Sequence, residues 1–199
     1  LELTLAVGAN PFKFGMIGST DSHTSLATAD ENNFFGKHSA NEANITRRAH
    51  EPQNLGTREG RFGWHYLSSG YAAVWATSNT REAIFDAMRR KETFGTSGPR
   101  MKVRFFAGLN YTPDMLDSAA LLETAYADGV PMGGQLEKVS GETAPGFLVW
   151  AIRDPLSAPL QRAQVVKVWS DGGETHEAIR DVACSNVPIT FCILCVYSK

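Results

Sequence analysis

The segment Ile17-Gly18-Ser19-Thr20-Asp21-Ser22-His23 holds the side chains of this sequence best suited to chemistry. An apolar stretch runs into a glycine, and a carboxylate and an imidazole follow with one residue between them. In α/β folds the C-terminal ends of strands are where ligands and catalytic groups collect. If the backbone leaves the strand at Gly18, Asp21 and His23 can turn toward one point. A carboxylate oxygen beside an imidazole nitrogen suits divalent zinc, manganese or iron, which accept hard and borderline donors together. The same spacing arises by chance, so an incidental D-x-H in a loop is the competing reading.

Other candidates are less specific. Lys37 and His38 lie in the loop after the motif and could touch an anionic substrate, although a solvated surface loop serves equally. Arg100 follows Gly98-Pro99. Its guanidinium can clamp a phosphate through two N–H groups or pair with a structural carboxylate. His50, His65 and His176 have no partner at ligand spacing and read as ordinary polar positions. Cys184, Cys192 and Cys195 are an odd set near the end of the chain, and no second pair or nearby His accompanies the CxxC of Cys192 and Cys195. An apolar strand carrying small sulfur residues fits them better than a zinc or redox site.

The elements that must position these groups are partly legible. Residues 12–18 read as a short buried strand after Pro11. Residues 19–70 show no sustained period, and a connection of that length is usually a functional lid or binding loop. A helix follows, with Asn79 as its predicted cap, Glu82 at the capping-box position and Ile84, Ala87 and Met88 as its apolar stripe. Arg89, Arg90 and Lys91 close it, where positive charge suits the helix dipole and a solvated basic end is expected. Beyond Gly98-Pro99, residues 101–107, 147–152, 164–169 and 176–182 read as strands, with a short helix around 113–127 built on Leu116, Ala119, Ala120, Leu121 and Ala127. Asp171-Gly172-Gly173 is a strong hairpin signal. Trp75, Trp150 and Trp169 sit in apolar runs and are predicted to be core.

Composition excludes several classes. The 199 residues are 43% hydrophobic and 20% charged, which is ordinary for a globular protein and argues against wholesale disorder. A net charge of −2 gives no electrostatic reason to expect nucleic acid or an anionic membrane as partner. No apolar run approaches the ~20 residues of a spanning helix, and no signal peptide opens the chain. The first residue is Leu, which we read as a start internal to a longer protein. Cellular location is left open.

The Gly-Ser-Thr-Asp-Ser-His run resembles the last metal-binding motif of the PHP (polymerase and histidinol phosphatase) superfamily. Asn33-Phe34-Phe35-Gly36-Lys37-His38, Ala73-Val74-Trp75-Ala76 and Asn79-Thr80-Arg81-Glu82-Ala83 extend the likeness. So do Thr96-Ser97-Gly98-Pro99-Arg100, Gly129-Val130-Pro131-Met132-Gly133-Gly134 and Val149-Trp150-Ala151. Together they resemble the C-terminal half of an uncharacterised PHP-like family, grouped as a domain of unknown function, over residues 1–185 or thereabouts.

The resemblance implies an α+β chain. Residues 1–100 would be the C-terminal piece of a distorted α/β barrel with the long loop 19–70. Residues 101–199 would form a small antiparallel sandwich or sheet with an atypical tail, 186–199. It further implies a metal-dependent phosphoesterase in which Asp21 and His23 ligate divalent metal, and a small phosphoester or other anionic substrate. Two departures limit this. The superfamily's opening H-x-H and its middle His and Glu ligands belong upstream, and no H-x-H exists in this chain. Two ligands hold an ion weakly, so the chain alone is expected to be inactive. The tail departs from the family and would supply an edge strand or a segment prone to self-association. The alternative function is a non-catalytic, β-rich binding or structural module on a PHP-like scaffold.

Overall fold

The computed structural model describes residues 10, 12–19, 70–137, 144–189 and 193–198. The chain divides into two compact units, one of residues 1–16, 74–93 and 100–199, the other of residues 17–73 and 94–99. Among the described residues the architecture is α+β and rich in small antiparallel sheets, without a closed barrel.

Strand β1 (Ala72–Val74) and strand β2 (Thr93–Gly95) pair as a two-stranded sheet around helix α1 (Arg81–Arg89). The helix begins one residue later than the sequence implies. Thr80, in an extended conformation, is the cap, and its side-chain oxygen accepts from the Ala83 N–H at 3.2 Å. Asn79 is therefore not the cap, and Glu82 falls at the second helical position, where it cannot complete a capping box. Ala87 is buried, Ile84 is half-buried and Met88 is exposed, so the apolar stripe is narrower than predicted. After α1 the chain reverses at Lys91, whose φ of 62° is left-handed.

The larger sheet is antiparallel in the order β4-β3-β5-β8. Its members are β3 (Lys102–Gly108), β4 (Gly129–Pro131), β5 (Gly146–Ile152) and β8 (Ile193–Ser198). β3 and β5 are dense in aromatic and β-branched residues that suit a pleated, half-buried surface. Their register sets Phe106 against Leu148 and Arg104 against Trp150. On that face Phe106, Leu148, Tyr111 and Ala125 form a buried core, with Met115, Leu116 and Leu121 packed around it. These last residues come from a 3₁₀ turn (Pro113–Asp117) and helix α2 (Leu121–Ala127). The predicted single helix over 113–127 is thus two pieces. Ser118 turns extended, and its hydroxyl accepts from the Ala120 N–H at 3.1 Å. Ala125 is the buried alanine, while Ala119, Ala120 and Ala127 face solvent.

β6 (Leu160–Asp171) and β7 (Glu174–Ile189) make a long two-stranded ribbon. Gly172 and Gly173 join them with φ of 56° and 91°, the positive pair that a two-residue hairpin turn requires. The tail joins the larger sheet, since β8 pairs with β5 at the sheet edge. The expectation of an edge strand there is met.

Two predictions of burial fail. Residues 12–18 form no strand ladder, and Phe12, Phe14, Met16 and Ile17 are exposed. The segment meets its neighbours through glycine backbone rather than an apolar face, so its hydrophobic pattern does not report burial. Trp75, Trp150 and Trp169 are half-buried, not core. Trp75 packs edge-on to Trp150 at 6.1 Å and sends its Nε1–H to the Val103 carbonyl at 2.8 Å, whereas Trp169 stacks on His176 in the ribbon.

Tyr111 illustrates the core's energetics. Its hydroxyl donates to the Ala125 carbonyl at 2.5 Å. Burial first, and then the negative charge of Asp128, push the phenol from 10.0 up to about 12. Its contribution is complete below pH 10.0, where native and unfolded chains are both protonated. As pH rises from 10.0 toward about 12 the unfolded chain ionises first, and stability is lost. Tyr111→Phe is expected to cost about 1 kcal/mol at neutral pH and to flatten the alkaline decline. Urea unfolding across the alkaline range measures both, and an unchanged decline would contradict the assignment.

Candidate functional site

Asp21, His23, Lys37 and His38 lie outside the described residues, as do His50, His65 and Cys192. The approach to the motif is described as far as Ser19. Gly15 lies against Lys91 and Thr93, and the Thr93 hydroxyl donates to the Met16 carbonyl at 3.0 Å. Gly18 lies against Thr96 and Tyr71, while Gly95 abuts Ile17 and Gly18. Residue numbers rise together along the two segments, so residues 15–18 run parallel to β2. Ser19 therefore departs at the same end as Thr96-Ser97-Gly98-Pro99. Tyr71 and Thr96 exchange backbone hydrogen bonds at 3.1 Å, and the Gly98 N–H reaches the Thr96 hydroxyl at 3.4 Å.

A carboxylate and an imidazole are a suitable partial donor set for a borderline divalent ion. They need further ligands. Among the described residues no three His, Cys, Asp or Glu side chains gather as a metal-binding group.

Arg100 is exposed, and its backbone N–H donates to Asp154 Oδ2 at 2.7 Å. That bond, the N–H of Leu156 and the charges of Arg100 and Arg153 hold the Asp154 carboxyl below its ordinary 3.8. The turn at Arg100 is thus tied to Asp154 through its backbone N–H.

A polar cluster that the sequence did not single out joins three elements of the larger unit. Glu92, just before β2, is 3% exposed. It accepts from the Tyr126 hydroxyl of α2 and faces Arg90 Nη2 at 3.4 Å. The Tyr126 hydroxyl also accepts from Arg104 Nη1 of β3 at 2.9 Å. The Arg104 guanidinium lies 3.6 Å from the centre of the Trp75 ring, and its Nε is buried without a partner among the described residues. Burial is the main cause raising the Tyr126 phenol, with the Glu92 hydrogen bond and charge next and Arg104 opposing. Arg90, expected as part of a solvated basic end, is exposed and also reaches Glu92 and the Trp75 carbonyl. The available sequence signal was Arg104 alone, a long cation in a strand between apolar neighbours.

This arrangement fixes α2 and β3 to the chain entering β2. Tyr126→Phe leaves a nearly buried carboxylate with one weak partner and strips Arg104 of an acceptor. The expected cost is about 1–3 kcal/mol, read by urea unfolding; a loss below about 0.5 kcal/mol would show that the hydroxyl is dispensable.

No described helix is long and apolar enough to cross a membrane. No curated protein and no solved structure matches the chain. Residues 1–190 match the family described as protein of unknown function, DUF3604. Since that match takes in everything but the tail beyond residue 190, the chain belongs to the DUF3604 family.

Proposed function

We propose that this chain is part of a metal-dependent hydrolase of the phosphoesterase type on a PHP-like scaffold, with Asp21 and His23 among its metal ligands. What supports the reading is the D-x-H spacing soon after Gly18, together with residues 15–18 running parallel to β2, so that the chain reaches Ser19 at the same end of β2 as Thr96. The C-terminal ends of strands, such as that of β2 here, are where α/β enzymes assemble their sites. In such sites a divalent ion supplies acidification of water for attack on an ester phosphorus. Asp21 and His23 would contribute an anionic oxygen and a neutral ring nitrogen to holding the ion. Lys37 and His38 are proposed to meet the anionic substrate. Arg100, whose side chain is exposed, is proposed as a third contact to the same substrate.

The test is hydrolysis of p-nitrophenyl phosphate and bis-p-nitrophenyl phosphate by the longest natural form of the protein, reconstituted with zinc, manganese or iron. Turnover should depend on metal and fall at least ~100-fold in Asp21→Ala and in His23→Ala. A metal-loaded protein that hydrolyses neither ester would overturn the phosphoesterase assignment. The self-contained core around Phe106 and Leu148 favours the second reading, a β-rich binding module, which predicts metal-independent behaviour throughout.

A further inference from the structure

We infer that the β6–β7 ribbon docks a second copy of this chain, through the face that carries Lys167, Trp169 and Arg180. The inference is independent of the hydrolase reading. β6 and β7 form a sheet of two strands, and two strands alone bury too little to be more than marginally stable. Directly opposed residues of an antiparallel pair point to the same face. Val165↔Arg180, Lys167↔Ala178, Trp169↔His176 and Asp171↔Glu174 therefore make one face of the ribbon, and Val166↔Ile179 and Val168↔Glu177 belong to the other.

Charge on the first face is sorted by position. The cations Lys167 and Arg180 lie away from the hairpin turn, the carboxylates Asp171 and Glu174 lie beside it, and all four are exposed. Between them the half-buried Trp169 ring stacks on exposed His176 with ring centres 5.2 Å apart, and Lys167 Nζ lies 4.8 Å from the Trp169 ring centre. A surface positive at one end and negative at the other is complementary to itself turned end for end. A two-fold axis at the level of the Val168↔Glu177 pair stacks two such faces antiparallel, the isologous contact of the commonest oligomers. Arg180 of each copy then stands over Glu174 of the other, and Lys167 over Trp169, so no like charges are directly opposed. Faces of stacked sheets lie ~10 Å apart, a gap that an arginine and a glutamate span together. The competing surface is the opposite face, where Val166, Val168 and Ile179 are exposed. Two copies of that face would gather Glu177 and Asp181 from each, with Arg162 as the offsetting cation. The interface is small against the ~1,600 Å² of a standard one, so the dimer should dissociate on dilution, half-formed at about 1–100 µM.

The experiment is sedimentation equilibrium of the full chain across about 1–500 µM, which brackets that range. Arg180→Glu sets carboxylate over carboxylate, and Glu174→Arg sets guanidinium over guanidinium. Each variant alone should weaken self-association at least ~10-fold, since juxtaposed like charges are costly. Mixed in equal amounts, the two variants recover opposite charges at both contacts, and a heterodimer of near wild-type strength should form. That rescue also shows that neither variant has lost its fold. Ile179→Ser, on the opposite face, should leave the dimer unchanged. A wild type that stays monomeric throughout would overturn the inference. So would self-association that neither charge reversal weakens, a mixture that fails to associate, or loss of the dimer in Ile179→Ser.

Discussion

Phe106→Ala is expected to lower unfolding free energy by about 3–5 kcal/mol, the range for truncating a buried phenylalanine. Phe106 is 1% exposed and packs edge-on to Tyr126 with ring centres 5.0 Å apart. Its neighbours across the register and along the chain, Leu148, Tyr111 and Ala125, are each anchored by other contacts and cannot collapse freely into the space. Leu148→Ala should cost about 2–5 kcal/mol by the same mechanism. The two residues face each other on adjacent strands, so their effects should not add, and a double-mutant cycle should return a coupling of about 0.5–3 kcal/mol. Urea unfolding supplies all three values. A cost below about 1 kcal/mol for Phe106→Ala would mean that the face between β3, β5 and α2 is not the stabilising centre.

Asp21→Ala and His23→Ala should each reduce metal affinity at least ~100-fold, because a site short of ligands has no spare donor to replace the one removed. The two losses should also be strongly non-additive, since either alone leaves too few donors to hold the ion. Metal competes with protons for the imidazole and the carboxylate, so wild-type affinity should fall as the solution is acidified. Titrations with Mn²⁺ at several pH values check this. Affinity independent of pH, or unaffected by either substitution, would place the metal elsewhere.

The β half of the chain was the most legible. Met101–Ala107 and Phe147–Ile152 were read within one residue of β3 and β5, because dense β-branched and aromatic runs between turns have few other solutions. Asp171-Gly172-Gly173 announced its turn through glycines that the observed positive φ values require. The ribbon strands are far longer than predicted, since the residues at their ends carry no regular alternation to follow. The 12–18 segment misled for the opposite reason: its apolar residues imitate a buried strand, although its close approaches are made by Gly15 and Gly18 and its hydrogen bonds by Lys13 and Met16. The cluster of Glu92, Arg104 and Tyr126 was invisible because its members are brought together by pairing and packing across three elements. The D-x-H motif needed no structure to be noticed. What surrounds Asp21 and His23 lies beyond the described residues.

The decisive measurement is metal content by mass spectrometry after tag-free purification and reconstitution with zinc, manganese and iron, on the wild type, Asp21→Ala and His23→Ala. Metal retained by the wild type and lost from both variants is the expected result. A longer natural form of the protein that stayed metal-free under the same conditions would contradict the hydrolase reading.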